Sequence, residues 1–385
     1  MTTRASSRAR ALARARARSG RALLFCTVLA TVVAIGPPAG AAPYTAPQGK
    51  VLVGVAGGRT VDGYVRAAGK KPGVFQFFVA WGDRFDYAYR RAREARARLM
   101  LHLSTYNGPG TKERITPRDI ALGRGDGYLV SLSRDLATHG QPVYLRLFSE
   151  MNNAANPYCA YSPGGSHRGG SHSRAWFRQA WRRVYLIVKG GRVGRIDARL
   201  RGLGLPPVRR LPSDDATPRG SRWLPQPRVA LQWAPMTAGS PDIPANMPDG
   251  YWPGAAFVDW VGTDFYSRFP NFVGLDRLYA DPRYRGKPFV FGEWAMWGRD
   301  DPAFMRSFFG WVARHRRVRM LTYNQGNHPS SDFRLYRYPR SARVMRLALR
   351  SPRYTGRSGM PTGPSRPFAD RRGQRRYPRP RRALD

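Results

Sequence analysis

From Lys50 onward, short apolar runs alternate with longer polar or amphipathic stretches. The runs are Val51–Ala56 (VLVGVA), Val74–Ala80 (VFQFFVA), Leu99–Leu103 (LMLHL) and Val143–Phe148 (VYLRLF). They continue with Val229–Trp233 (VALQW), Phe257–Thr263 (FVDWVGT), Pro288–Phe291 (PFVF) and Met320–Tyr323 (MLTY). Each has strand length and is rich in β-branched or aromatic residues. Between them, Phe85–Arg98 has helix-forming composition, and Gly127–Thr138, Arg174–Lys189 and Pro302–Arg314 repeat apolar residues three and four apart. A last helix is expected over Ser341–Leu349. Eight strands interleaved with helices predict an α/β chain folded as a (β/α)8 TIM barrel, although a doubly wound open sheet gives a similar string. Gly190–Arg222, rich in Gly, Pro and Arg, reads as a long surface loop.

The two ends have a different character. Residues 1–21 hold seven arginines and no acid, Ala22–Ile35 is an apolar run, and Ala39-Gly40-Ala41 offers small residues for cleavage. This is the layout of a secretory signal peptide, removed after Ala41, with an apolar run too short to span a bilayer. Residues 350–385 are dominated by Arg, Pro, Gly and Ser and are expected to be a disordered tail. The expected division is therefore a leader over 1–41, a barrel over 42–349 and a tail over 350–385, in a secreted or cell-envelope protein without a membrane span.

Composition adds two constraints. Hydrophobic residues make up 42% of the chain, with 10 Trp, 19 Tyr and 18 Phe, enough for a large core and for aromatic-lined grooves. Without the leader, Cys159 is the only cysteine, so an intrachain disulfide is excluded and core size must supply stability. The formal net charge is +42, and only six of the 66 basic residues are lysine. Such a charge favours contact with polyanions, among them an anionic envelope polymer gripped by the tail. No helix-turn-helix, zinc-finger or RNP-like pattern accompanies it, so a specific nucleic-acid reader is not indicated.

Acids are scarce, so an acid at the end of an apolar strand is informative, because burying a carboxylate is costly without a partner or a use. Glu150 follows Val143–Phe148 in PVYLRLFSEMNN, and Glu293 follows Pro288–Phe291 in KPFVFGEWAMWG. Strand alternation puts Tyr144, Arg146 and Phe148 on one side. In a barrel, carboxyl-terminal strand ends converge over one pocket. Two carboxylates there suit hydrolysis of a glycosidic bond: one protonated to donate to the leaving oxygen, the other charged to attack carbon or activate water. Ion pairs with nearby arginines are the alternative for either glutamate alone. This chemistry requires no cofactor and no metal.

Four blocks then acquire a common meaning: Gly125–Tyr128 (GDGY), Arg146–Asn152 (RLFSEMN), Val258–Ser267 (VDWVGTDFYS) and Lys287–Glu293 (KPFVFGE). In order and spacing the chain resembles glycoside hydrolase family 26, whose members include endo-β-mannanases and related β-glycanases, over residues 50–340. The resemblance implies a retaining hydrolase acting on a β-linked polysaccharide, with Glu150 as general acid/base and Glu293 as nucleophile. It also implies that Tyr266 hydrogen-bonds the nucleophile, that Arg146 and Asn152 support the pair, and that Trp233 lies near the sugar sites. Two positions depart from the family pattern: Ser149 replaces a histidine before the acid/base, and Asn153 replaces a glycine. Contacts to the sugar in the cleaved subsite must therefore differ. The same departures motivate an alternative, a barrel that binds envelope glycans with little or no turnover. Trp81, Trp294, Trp297 and Tyr323 at strand ends are candidate sugar platforms, with Tyr158 or Tyr161 in the loop after Asn153, and Asp264 is a candidate sugar contact.

Overall fold

A computed structural model of the chain describes residues 44–58, 60–209, 223–328 and 331–356. The apolar runs form eight parallel strands: β1 Val51–Ala56, β2 Val74–Ala80, β3 Arg98–Ser104, β4 Val143–Leu147, β5 Val229–Trp233, β6 Trp260–Tyr266, β7 Phe289–Ala295 and β8 Val318–Asn324. Each pairs with its neighbour in chain order, and β8 returns to β1 from Leu52↔Met320 to Ala56↔Asn324. That last pairing closes the sheet and decides for a (β/α)8 barrel over an open sheet. Around it run α1 Asp62–Ala68, α2 Asp86–Glu94, α3 Pro117–Ala121, α4 Asp126–His139, α5 Arg174–Lys189, α6 Val193–Gly202, α7 Phe272–Ala280, α8 Pro302–Arg314 and α9 Pro339–Ala348.

Strand alternation separates two cores. Outward residues such as Val143, Leu145 and Leu147 join the helices in the larger one. Inward residues Leu52, Val74, Met100, Tyr144, Ala230, Trp260, Val290 and Met320, one from each strand, form an apolar floor. Ala46 packs beneath it, and the Tyr44 carbonyl accepts hydrogen bonds from Tyr144 Oη at 2.6 Å and Arg98 Nη1 at 2.8 Å. The amino-terminal end of the barrel is thus sealed. Toward the carboxyl end the lining turns polar, with Gln76, Arg146, Gln232 and Thr322 all buried.

Several expectations need correction. β6 starts later than expected, because Ala255–Phe257 is a 3-10 turn. Gly190–Arg222 is not one loop: Val193–Gly202 is helical, held by buried Ile196 and Leu200. The short helices α1, α3 and α7 offered too few turns for their periodicity to be read. Phe148 does not share a side with Arg146, since its backbone has φ 43° and its ring packs on Trp81, Tyr158 and Phe177. The tail is ordered at its start, where Tyr354–Thr355 pairs with β1 and Tyr354 is buried. The proposed leader, 1–41, and residues 357–385 of the tail lie outside the described residues. Among those described, no helix is long and apolar enough to cross a membrane.

The GDGY block is a structural joint. A side chain on Gly125 would meet the Trp81 ring at 2.4 Å, so only glycine lets Trp81 lie against the start of α4. Asp126 faces the other way and receives Arg183 Nε at 2.7 Å and Nη2 at 2.6 Å, both residues being fully buried. Removing one member of such a pair strands the other charge in the interior. Arg183→Met should therefore lower unfolding stability by about 3–5 kcal/mol in urea denaturation. A loss below about 1 kcal/mol would mean that the Arg209 amide, which also binds Asp126, suffices for the carboxylate.

Candidate active site

Arg146 stands at the centre of the polar layer. Inward on β4, its guanidinium crosses toward β6 and β7, giving Nη1 to Glu293 Oε1 and Nη2 to Asp264 Oδ2. A side chain at position 292 would meet Arg146 Nε at 2.5 Å, so Gly292 clears the path. Asp264 Oδ1 also accepts the Glu293 amide at 3.0 Å, which ties β6 to β7.

Simple alternation would aim Glu293 outward, since Phe291 packs in the outer core. The ladder from Thr263↔Phe291 to Asp264↔Glu293 advances one residue on β6 and two on β7. This bulge re-aims the strand. Glu293 turns inward, while Trp294 turns out and stacks on Phe308 of α8 at 4.1 Å. Each Glu293 oxygen then receives two donors: Gln76 Nε2 at 3.1 Å and Arg146 on Oε1, Tyr266 Oη at 2.8 Å and Asn324 Nδ2 at 3.0 Å on Oε2.

Glu150 is placed by strain. Phe148 and Glu150 have φ of 43° and 50°, left-handed conformations that cost non-glycine residues about 1–3 kcal/mol each. Hydrogen bonds hold the turn: the Glu150 amide to the Ala234 carbonyl at 2.7 Å, and Asn156 Nδ2 to the Glu150 carbonyl at 2.9 Å. Tyr158 Oη donates to the Ser149 carbonyl at 2.7 Å. The half-buried Glu150 carboxylate accepts Asn153 Nδ2 at 3.0 Å.

The two glutamates are electrostatically unlike. Burial alone would raise the Glu293 pKa, but the Arg146 charge and the hydrogen-bond donors around the carboxylate reverse this and hold it at about 2. Glu150 moves up, first from burial and then from the negative charge of Glu293. Asp264 also moves up, chiefly from burial, despite Arg146. One guanidinium faces three carboxylates, so Glu150 and Asp264 are pushed toward their protonated forms while Glu293 is held ionised.

His102, inward on β3, was not anticipated from the sequence. Its Nδ1 lies 2.9 Å from Arg146 Nη1, which can only donate, and 3.4 Å from Glu293 Oε1, while Nε2 lies 3.1 Å from Ser149 Oγ. Burial and the Arg146 charge lower its pKa and keep the ring neutral. Gln76, Asn324 and Tyr106 were missed as well. Tyr106 Oη donates to Asn156 Oδ1 at 2.7 Å, and burial with the charges of Glu150 and Glu293 pushes its phenol up to about 12.

The structure thus gathers Arg146, Ser149, Glu150, Asp264, Tyr266 and Glu293 into one network. Other expected positions are corrected. Asn152 faces away from the carboxylates, its amide fixing Met236 and Ala238 in the loop after β5. Trp233 points into the helix layer against Trp252 and Tyr284 and is fully buried. Trp81, Trp294, Tyr323, Tyr158 and Tyr161 are also buried in packing contacts and present no open face to a sugar. Asp264 is committed to Arg146 and the Glu293 amide rather than to a ligand. Open aromatic surface comes from Phe78, 49% exposed and 5.1 Å from the His102 ring, and from Trp297, which packs edge-on to Tyr266 and Phe333.

No protein-family model matches the sequence, and no curated protein matches it. Among solved structures, the chain is similar to the mannanase Man26 of Bacillus subtilis, with 15% identity and a TM-score of 0.51 over 82% of this chain and 88% of that one. It is also similar to GH26C of a Muricauda species, at 12% identity and a TM-score of 0.50 over 82% and 89%. The chain shares its fold with family 26 glycoside hydrolases. In this barrel the polarised acid network sits at the carboxyl ends of β4, β6 and β7, where barrel enzymes place their chemistry.

Carbon-13 NMR of the carboxyl groups should show Glu293 titrating near pH 2 and Glu150 above the ordinary glutamate range. Asn324→Ala and Gln76→Ala each remove a donor from the ionised form and should raise the Glu293 value. Two glutamates titrating together between pH 4 and 5 would contradict the asymmetry.

Proposed function

We propose that this chain is a retaining β-glycosidase that hydrolyses a β-linked polysaccharide, mannan or a related glycan, through a glycosyl-enzyme intermediate. The observation that supports this reading is the polarised pair: Glu293 held ionised by two donors on each oxygen, beside a Glu150 that favours its protonated form. An ionised carboxylate is a competent nucleophile for the anomeric carbon, and a neutral one can protonate the departing oxygen. In the first step a Glu293 oxygen bonds to the anomeric carbon as the glycosidic C–O bond breaks and the Glu150 proton passes to the leaving oxygen. In the second, Glu150, now anionic, takes a proton from water as the water oxygen displaces Glu293. Arg146 and Tyr266 keep Glu293 ionised and oriented before the first step and after its release in the second. His102, fixed by Arg146 and Ser149, places its ring 5.1 Å from that of Phe78.

A glycan-binding barrel without turnover is the second reading, motivated by Ser149 in place of the family histidine. The imidazole of His102 on Ser149 Oγ weighs against it, because an imidazole is still built into this part of the pocket.

Glu150→Gln and Glu293→Gln should each lower kcat on a cleaved β-glycan by about 10²–10⁴-fold or more, with the circular dichroism spectrum retained. Azide should rescue Glu293→Ala with inverted anomeric configuration, as read by proton NMR. Full activity in either Gln variant would reject the assignment, and binding without reducing-end release by the wild type would favour the second reading. The activity profile should be bell-shaped, falling on the acid side as Glu293 becomes protonated and on the basic side as Glu150 loses its proton at its raised pKa. Phe78→Ala should raise KM more than it lowers kcat, the mark of a sugar platform that acts in binding.

A further inference from the structure

The outer wall of the barrel holds a second concavity unrelated to the carboxylate network, a groove of about 890 Å³ between α1 and α9. Its lining includes Arg66, Arg343, Arg346 and Arg350, and no acid. Among the described residues, none of these four is in an ion pair, although arginines elsewhere on the surface pair with Asp83, Asp119, Asp281 and Asp332. Arg343, Arg346 and Arg350 recur three and four residues apart, so they stand on one face of the α9 region and space their charges over about 10 Å. Arg346 is fixed from behind: Nη2 donates to the Arg66 carbonyl at 2.8 Å and the Ala67 carbonyl at 3.0 Å, at the end of α1. Its remaining guanidinium nitrogen is preorganised rather than searching.

Between the charges the surface is apolar, with Leu347 and Tyr336 both about half exposed at 54% and 53%. This combination selects a ligand with regularly spaced negative charges and carbon-rich faces. We infer that the α1–α9 groove is a binding site for an anionic polysaccharide, whose carboxylates pair with the arginines and whose sugar rings lie on Tyr336 and Leu347. Single-stranded nucleic acid fits less well, because it calls for successive aromatic platforms and Tyr336 is the single aromatic lining residue. The remainder of the chain is not the occupant: residues 357–385 carry nine arginines and two aspartates and would be repelled.

The test is affinity electrophoresis of the full chain through gels containing polygalacturonate, run at physiological salt so that diffuse attraction is screened. Arg343→Glu/Arg350→Glu changes two exposed side chains with no hydrogen-bonding duty in the fold. A control, Arg195→Glu/Arg201→Glu on α6, makes the same change in net charge elsewhere. The groove variant should lose retardation by about tenfold or more, with the control and the hydrolytic activity of the cleft little changed. Absence of wild-type retardation, retention in the groove variant, or equal loss in both variants would overturn the site. Equally strong retardation by a DNA oligomer of matched charge, released by the same groove variant, would overturn the saccharide assignment.

Discussion

One buried guanidinium organises this molecule's chemistry. Arg146 lies in the barrel interior with no solvent contact, and it stays charged there because Asp264 and Glu293 outweigh the cost of burial. A single cation facing three carboxylates forces an unequal distribution of protons. Glu293 takes the better share, with donors from four strands around it, and the carboxyls of Glu150 and Asp264 are shifted upward. The difference between the two glutamates thus originates in the geometry of a strand-centred arginine rather than in the glutamates themselves. Gly292 belongs to the same device, because any larger residue would occupy the guanidinium's path.

Much of this was legible in the sequence, but unevenly. The eight apolar runs marked the strands because each buries both faces, and the scarcity of acids singled out Glu150 and Glu293. What alternation could not carry was direction. A period of two, continued from Phe289, turns Glu293 outward; the bulge opposite Thr263 and Asp264 turns it in, and a bulge is a property of two paired strands rather than of one segment. Phe148 was misassigned for a related reason. Its left-handed backbone interrupts β4 one residue before the pattern of side chains would end.

The aromatic residues show a different limit. Trp81, Trp233, Trp294 and Tyr323 stand at the strand ends where the sequence suggested sugar contacts, yet all are buried in packing contacts. The gap between strand tips and the surrounding layer has to be filled, and the largest side chains do this best. Position along the chain locates a residue near the mouth, but only the direction of its Cα–Cβ bond decides between mouth and core. Phe78 had no such mark, sitting mid-run in VFQFFVA, and its exposure follows from being inward on a strand that ends above the polar layer.

His102 resolves the departure at position 149. The sequence raised the loss of a histidine beside the acid/base as a disturbance of the cleaved subsite. In three dimensions the neighbouring strand brings an imidazole to Ser149 Oγ. The replacement is not equivalent, because this ring is also bound by Arg146, which takes up Nδ1 and suppresses protonation. With both nitrogens engaged, the imidazole holds Ser149 at fixed geometry and adds no second positive charge. The carboxylate that borders the ring is Glu293, whose Oε1 lies 3.4 Å from Nδ1, so a charge on the imidazole would fall on the carboxylate that Arg146 already holds ionised. Placing the ring on β3 lets the same arginine that ionises Glu293 also fix the imidazole against Ser149 Oγ, without adding a charge beside the carboxylates.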